Sequence, residues 1–286
     1  MTQTSTTFAL AGLDLAAFVA ATLAEDAGAG GDITSAAVIP AEARFVGVMD
    51  SRDAIVVAGL PIAEAFFRAL DGDVRIERLV EDGARVAPGT DLLRLEGNAR
   101  ALLTAERSAL NTVQHLSGIA TLTRTFADRL LGTGAILLDT RKTLPGLRVL
   151  VKYATRMGGA QNHRMGLWDA AMIKDNHVAV AGDVGEAVRR AVAAGIERII
   201  VEVDRVDQIE PALAAGATHL LLDNMDPPTL RGAVTLIGGR VPTEASGGVR
   251  LDTIRAIAET GVTYVSVGRL TQSAPAADIG LDFATA

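Results

Sequence analysis

The sequence predicts an α/β protein in two parts, with antiparallel strands and helices first and βα units of barrel type after them. Three observations predict it. After Gly134 short apolar runs alternate with helical stretches, the pattern of a parallel sheet with crossover helices. The runs, residues 135–139, 170–174, 198–202, 219–223, 241–244 and 264–268, end 35, 28, 21, 21 and 24 residues apart, which suits successive units of an α/β barrel. Five of them end on a charged residue, Asp139, Lys174, Glu202, Asp223 or Glu244. In such barrels the C-terminal strand ends form the mouth of the active site.

In chain order, residues 13–27 have helical apolar spacing and stop at a glycine cluster, residues 28–31. A turn with a capping residue follows, Asp32-Ile33-Thr34-Ser35. Residues 44–59 and 74–97 are rich in Val, Ile and Leu and broken by Asp-Gly and Pro-Gly pairs, which predicts antiparallel strands and hairpins, with a helix over 61–70 between them. Residues 98–131 keep helical spacing without a proline, as one long helix or two that part at Gly118. Each acid that closes a later strand can alternatively cap the next helix.

The chain has 286 residues, 49% apolar and 3% aromatic, a net charge of −7 and no cysteine. It is long enough to bury a full core without staples. It cannot form disulfides, thiolate metal sites or a cysteine nucleophile. Its negative field disfavours nucleic acid and anionic membrane. The start of the chain has no basic segment ahead of its apolar residues, Asp14 interrupts them, and no stretch approaches the roughly 20 apolar residues of a membrane helix. A cytoplasmic location is expected, with neither a nucleic-acid nor a membrane partner.

Against this acidic background stands a basic island. Between Asp139 and His177 seven Lys and Arg face three acids, and all three lysines of the chain, Lys142, Lys152 and Lys174, fall within it. A compact anion explains such an island better than a polymer that would feel the surrounding field. Glycines after two late strands, Ser246-Gly247-Gly248 and Gly268-Arg269-Leu270, let backbone N–H groups approach a phosphate. No two of the four histidines have metal-ligand spacing. His115 and His219 read as structural, and His163 and His177, each beside an asparagine, as donors to a carboxylate.

Many segments in order resemble the quinolinate phosphoribosyltransferases, also called carboxylating nicotinate-nucleotide pyrophosphorylases. They include Gly31-Asp32-Ile33-Thr34-Ser35, Glu106-Arg107-Ser108, Asp139-Thr140-Arg141-Lys142, Asn162-His163-Arg164, Lys174-Asp175-Asn176-His177, Val201-Glu202-Val203, Leu222-Asp223-Asn224-Met225 and Glu244-Ala245-Ser246-Gly247-Gly248. The resemblance spans nearly the whole chain. It implies an N-terminal α/β (α+β) domain over 1–115, an open, incomplete α/β barrel over 116–271 that carries the phosphoribosyltransferase site, and a tail, 272–286, packed back on the first domain. It also implies a homo-oligomer, at least a dimer.

The implied reaction is transfer of the phosphoribosyl group of phosphoribosyl pyrophosphate to quinolinate, giving nicotinate mononucleotide, pyrophosphate and CO2 in NAD biosynthesis. Magnesium arrives with phosphoribosyl pyrophosphate, and no organic cofactor is implied. Lys142, Lys174, Glu202 and Asp223 match the catalytic set. Arg107 (from the neighbouring subunit), Arg141, His163, Arg164 and Lys174 match the carboxylate ligands, and Thr140 and Lys142 lie among the substrate contacts. Glu202 and Asp223 match the acids at the ribose and, indirectly, the magnesium. Ser246, Gly247, Gly248, Gly268, Arg269 and Leu270 match the 5′-phosphate cradle. Val151, Ala160 and Gln272 depart from the family pattern at positions outside this set.

The chemistry calls for these residue types independently. Displacing pyrophosphate builds positive charge on the sugar, which carboxylates stabilise, while the N-alkylated ring is the electron sink for decarboxylation. Three other readings stay open. They are a molybdenum-locus pyrophosphorylase-like relative with a different acceptor, a Schiff-base aldolase on Lys174, and an inactive anion-binding scaffold.

Overall fold

The computed structural model describes residues 9–283. The first eight residues of the expected leaderless start and the last three of the tail lie outside it. The described chain forms two compact units. The first holds residues up to Leu122, Val149–Gly158 and those from Ala274 on, and the second holds Thr123–Arg148 and Gly159–Ser273.

In the first unit, α1 (Leu15–Ala27) and α2 (Ile33–Val38) each start behind an aspartate, Asp14 or Asp32, whose carboxylate accepts a first-turn N–H. There follow β1 (Arg44–Ser51), β2 (Ile55–Val56), α3 (Leu60–Leu70), β3 (Arg75–Arg78), β4 (Arg85–Val86), β5 (Thr90–Asn98) and α4 (Ala99–Arg129). Glycine at 118 does not break α4, which is one continuous helix. A Cβ at Gly118 would overlap the carbonyl of Pro275, so the missing side chain serves a close backbone approach and not a bend. Beside it Ala277 N–H donates to the Gln114 carbonyl.

The second unit runs β6 (Ile136–Leu138), α5 (Arg148–Met157, mostly assigned to the first unit), β7 (Ala171–Ile173), α6 (Asp175–Ala181), α7 (Val184–Ala193), β8 (Ile199–Val203), α8 (Ile209–Ala215), β9 (His219–Asp223), α9 (Pro227–Ile237), β10 (Thr243–Ser246), α10 (Ile254–Ala258), β11 (Tyr264–Ser266) and α11 (Arg269–Gln272). Finally β12 (Ile279–Phe283) returns to the first unit as the antiparallel neighbour of β1. Residues 149–158, expected within the barrel, group with the first unit, where the Tyr153 hydroxyl donates to Asp82 at 2.6 Å.

The first unit carries an antiparallel sheet, β12-β1-β5-β3. The second carries a six-stranded parallel sheet, β6-β11-β10-β9-β8-β7, with consecutive strands β6 and β7 at opposite edges. The sheet is therefore an unclosed barrel. β8 and β9 are almost wholly buried and read as continuous apolar runs, as strands covered on both faces must. No helix among the described residues is long and apolar enough to cross a membrane.

Candidate active site

The pleat of the parallel sheet decides what faces the cleft. Side chains two apart share a face, so Met172 with Lys174, Leu221 with Asp223, Glu244 with Ser246, and Ser266 with Gly268 all line one cavity of about 870 Å³, as does Glu202. Met172 and Leu221 pack with Ala170 and Ile200 into an apolar floor. The other polar members, Glu244 apart, stand at the rim, at or just past the strand ends.

On the cationic side, Arg141 and Arg164 carry the most telling geometry. Each has a buried Nε with no hydrogen-bond partner among the described residues. Arg164 donates one Nη1 bond to the Ala170 carbonyl at 3.0 Å. Burial, and then the positive charge of Arg141, depress the Arg164 pKa. Two adjacent guanidiniums with idle buried donors form a site that is electrostatically incomplete without an anion. Lys142, exposed, extends along Gly268. Its N–H donates to Thr140 Oγ1, which also meets the Thr271 hydroxyl at 3.0 Å.

On the acidic side, Lys174 Nζ donates to Glu202 Oε2 at 2.6 Å. Asp223, on the next strand, is pushed above the usual aspartate range by burial and then by the charge of Glu202, with Lys174 pulling the other way. Like charges this close favour a bound cation or developing positive charge between them. Beyond them the chain turns at Ser246-Gly247-Gly248, and both glycines have left-handed φ, 89° and 60°.

Several expected residues sit elsewhere. Leu270 is fully buried in the core and does not line the cleft. His163 engages both ring nitrogens inside the protein: Nδ1 accepts the Arg164 N–H at 2.7 Å and Nε2 faces Glu244 Oε2 at 3.2 Å. It lines the cleft with its ring and offers no free donor to a carboxylate. His177 is exposed, with Nδ1 accepting the Lys174 N–H, and is absent from the cleft lining, as are Asn176 and Trp168. Arg107 lies exposed on α4 and does not line the cleft of its own chain. Of the seven cations of the basic island, Arg141, Lys142, Arg164 and Lys174 line the cleft, whereas Lys152 is fully buried in α5 of the first unit.

Glu244 does not end its strand. β10 runs from Thr243 to Ser246, two residues further than expected, so Glu244 lies one pleat below Ser246 and is completely buried. His219 Nε2 comes within 3.1 Å of the Glu244 Oε2 that His163 also meets, and the His219 ring stacks on Tyr264. Burial works to raise the Glu244 pKa, but the two imidazoles outweigh it and hold the carboxyl below its usual range. Asp139 accepts the His163 N–H at 2.8 Å and the Asn162 side-chain amide at 2.6 Å, pinning the segment that presents Arg164. The apolar floor, Asn224, Arg250 and Ser273 escaped the sequence reading. Of these only Asn224, in the Leu-Asp-Asn segment beside a strand-end acid, carried a visible signal.

Comparison with known proteins gives concordant matches. Residues 32–117 match the family described as quinolinate phosphoribosyl transferase, N-terminal domain, and residues 119–282 match its C-terminal domain. The carboxylating nicotinate-nucleotide pyrophosphorylase of Mycobacterium leprae is 47% identical over 91% of this chain and 94% of its own length. A mitochondrial decarboxylating quinolinate phosphoribosyltransferase of Nicotiana tabacum is 41% identical over 95% of this chain and 83% of its own. The crystal structure of nicotinate-nucleotide pyrophosphorylase from Ehrlichia chaffeensis superposes with a TM-score of 0.91 at 37% identity, covering 96% of this chain and all (100%) of that one.

Proposed function

This chain belongs to the quinolinate phosphoribosyltransferase family, and from that premise we infer that it transfers the phosphoribosyl group of phosphoribosyl pyrophosphate to quinolinate, with loss of CO2, in NAD biosynthesis. The pair of idle, buried guanidinium donors on Arg141 and Arg164 carries the reading, because it suits a small dicarboxylate.

We assign Arg141, Arg164 and Lys174 to the two carboxylates of quinolinate, with the ring over Met172 and Leu221. His163 acts behind them, holding the backbone of Arg164. The turns Ser246-Gly247-Gly248 and Gly268-Arg269 take the 5′-phosphate, the latter joined by the backbone of Leu270. Lys142, beside Thr140, faces the pyrophosphate. The pyridine nitrogen donates its lone pair to the anomeric carbon as the bond to pyrophosphate breaks and that group leaves with the electron pair. Glu202 and Asp223 stabilise the positive charge that develops on the ribose. They also suit the magnesium that accompanies phosphoribosyl pyrophosphate as part of the substrate, since Asp223 is pressed by the charge of Glu202. The bond to the C2 carboxylate then breaks, its electron pair remains on the pyridinium ring, and C2 takes a proton.

We further propose a homo-oligomer, at least a dimer, in which Arg107 of one protomer completes the cleft of its neighbour. Its exposure on α4, away from the lining of its own cleft, supports this. We place the protein in the cytoplasm.

The test is an assay of purified protein with quinolinate, phosphoribosyl pyrophosphate and magnesium, following nicotinate mononucleotide and CO2, with nicotinate as control acceptor and a chelator arm for the metal. Product from quinolinate alone supports the reading. Absence of product from either acid, in folded protein, overturns it. Sedimentation tests the assembly, which a monomer at assay concentration would refute, and activity found only in an organelle or membrane fraction would refute the location.

A further inference from the structure

Asn224 is the one described residue other than glycine with a left-handed backbone, φ 54°. Asparagine tolerates this conformation better than most residues, yet it persists only where its surroundings over-determine it. Three contacts do so here. Its backbone N–H donates to the Ser246 carbonyl at 2.9 Å, tying the end of β9 to the end of β10. Its Nδ2 donates to Asp223 Oδ2 at 2.6 Å. Its amide also lies where a Cβ on Gly247 would fall, so only glycine fits at 247 beside Asn224.

We propose that Asn224 is a positioning residue that locks the Asp223 carboxylate and the Ser246-Gly247-Gly248 turn into one rigid piece. The acid at the ribose and the amides at the 5′-phosphate then keep a fixed separation on a single substrate, phosphoribosyl pyrophosphate. The inference rests on the substrate reading above.

The physical need is clear from the charges around Asp223. Glu202 on β8 repels it, while Lys174 beyond β7 and Lys142 beyond β6 attract it. A free carboxylate at this rim would follow whichever charge moves as ligands enter. Neutral donors, the Asn224 amide and the Ser246 hydroxyl, hold the rotamer without neutralising the charge. Small losses of such alignment cost rate disproportionately. A carboxylate at 224 would repel Asp223, and a cation would quench it.

Two substitutions separate the parts of the argument. Asn224→Gly keeps the left-handed backbone and removes the amide. Asn224→Asp keeps the shape and exchanges the donor for an acceptor. With Asn224→Gly, kcat/KM for phosphoribosyl pyrophosphate falls about tenfold or more, as for loss of a hydrogen bond to a charged group. Calorimetric affinity for quinolinate stays within about twofold, because that acid binds on the arginine side. Asn224→Asp loses more, because a carboxylate there cannot donate to Asp223 and repels it.

Either of two results overturns the proposal in folded protein. One is kcat/KM for phosphoribosyl pyrophosphate within about twofold of wild type in both variants. The other is an equal loss for both substrates that parallels a fall in Tm. A wild-type chain that binds phosphoribosyl pyrophosphate but does not turn over quinolinate defeats the acceptor reading alone. Affinity of the two variants for magnesium phosphoribosyl pyrophosphate then decides Asn224, and unchanged affinity refutes it. A wild-type chain that binds neither substrate overturns both.

Discussion

Asp82 in the first unit and Arg164 in the second are both charged side chains largely withdrawn from water, and they are treated in opposite ways. Asp82 is saturated from within its own unit: Gly59 N–H at 2.6 Å and Leu60 N–H at 3.1 Å, at the start of α3, and the Tyr153 hydroxyl at 2.6 Å. The Arg164 side chain has one internal hydrogen bond, an idle buried Nε, and a second guanidinium whose repulsion outweighs the attraction of Asp169. A charge placed for stability finds its partners within the chain, whereas a charge placed for binding leaves a partner to be supplied from outside. The contrast separates scaffold from site without any ligand in view.

That contrast can be broken most decisively at Arg164. Arg164→Ala is expected to lower kcat/KM for quinolinate on the order of 10² to 10³-fold, as for removal of one member of a buried charge pair in the bound state. Its Tm should hold or rise, because a desolvated, repelled cation has been taken away. Denaturation and steady-state kinetics on one preparation check both, and a large loss of stability with ordinary kinetics would reverse the assignment.

Asp82→Ala should do the opposite. Three donors lose their acceptor, which costs about 3 kcal/mol at roughly 1 kcal/mol each, while the folded fraction turns over at close to the wild-type rate. Urea unfolding with activity measured at each concentration reads this directly. A catalytic defect in fully folded Asp82→Ala would erase the distinction.

A smaller effect sharpens the picture at the acidic rim. Burial and Glu202 hold the Asp223 pKa above the ordinary aspartate value, so activity that needs the carboxylate is lost as pH falls through that raised pKa. Glu202→Gln removes one cause, and the acid limb of the kcat/KM profile should move to lower pH, on top of a lower plateau. A limb that stays put or moves upward would mean that Asp223 does not set it.

Much of the architecture could be read from one chain. Apolar runs about 20 to 35 residues apart revealed the parallel sheet, and the capping Asp32 marked a helix start that the structure contains, whereas Asp14, the cap of α1, was visible only as a break in the apolar run. Boundaries were harder. β10 lies two residues beyond its expected place, and because side chains alternate with period two, Glu244 kept its inward face but moved from the rim to a buried layer. Gly118 left one helix and two equally open, because nothing local reveals that Pro275, far along the chain, comes to rest on it.

By itself, then, the order of residues determined the fold class, the strand-end acids and lysines, and the concentration of cations that calls for a small anion. All of these are carried by local spacing and composition. Tertiary structure alone decided which cations remain unpaired, which histidines are already engaged, and how Asn224 ties an acid on one strand to a turn on the next. His163, His219 and Glu244 are separated by 56 and 25 residues in sequence and meet only because β9 and β10 lie side by side and the loop that carries His163 folds against them. Which side chains meet a charge is a property of distance in space, which spacing along the chain does not encode.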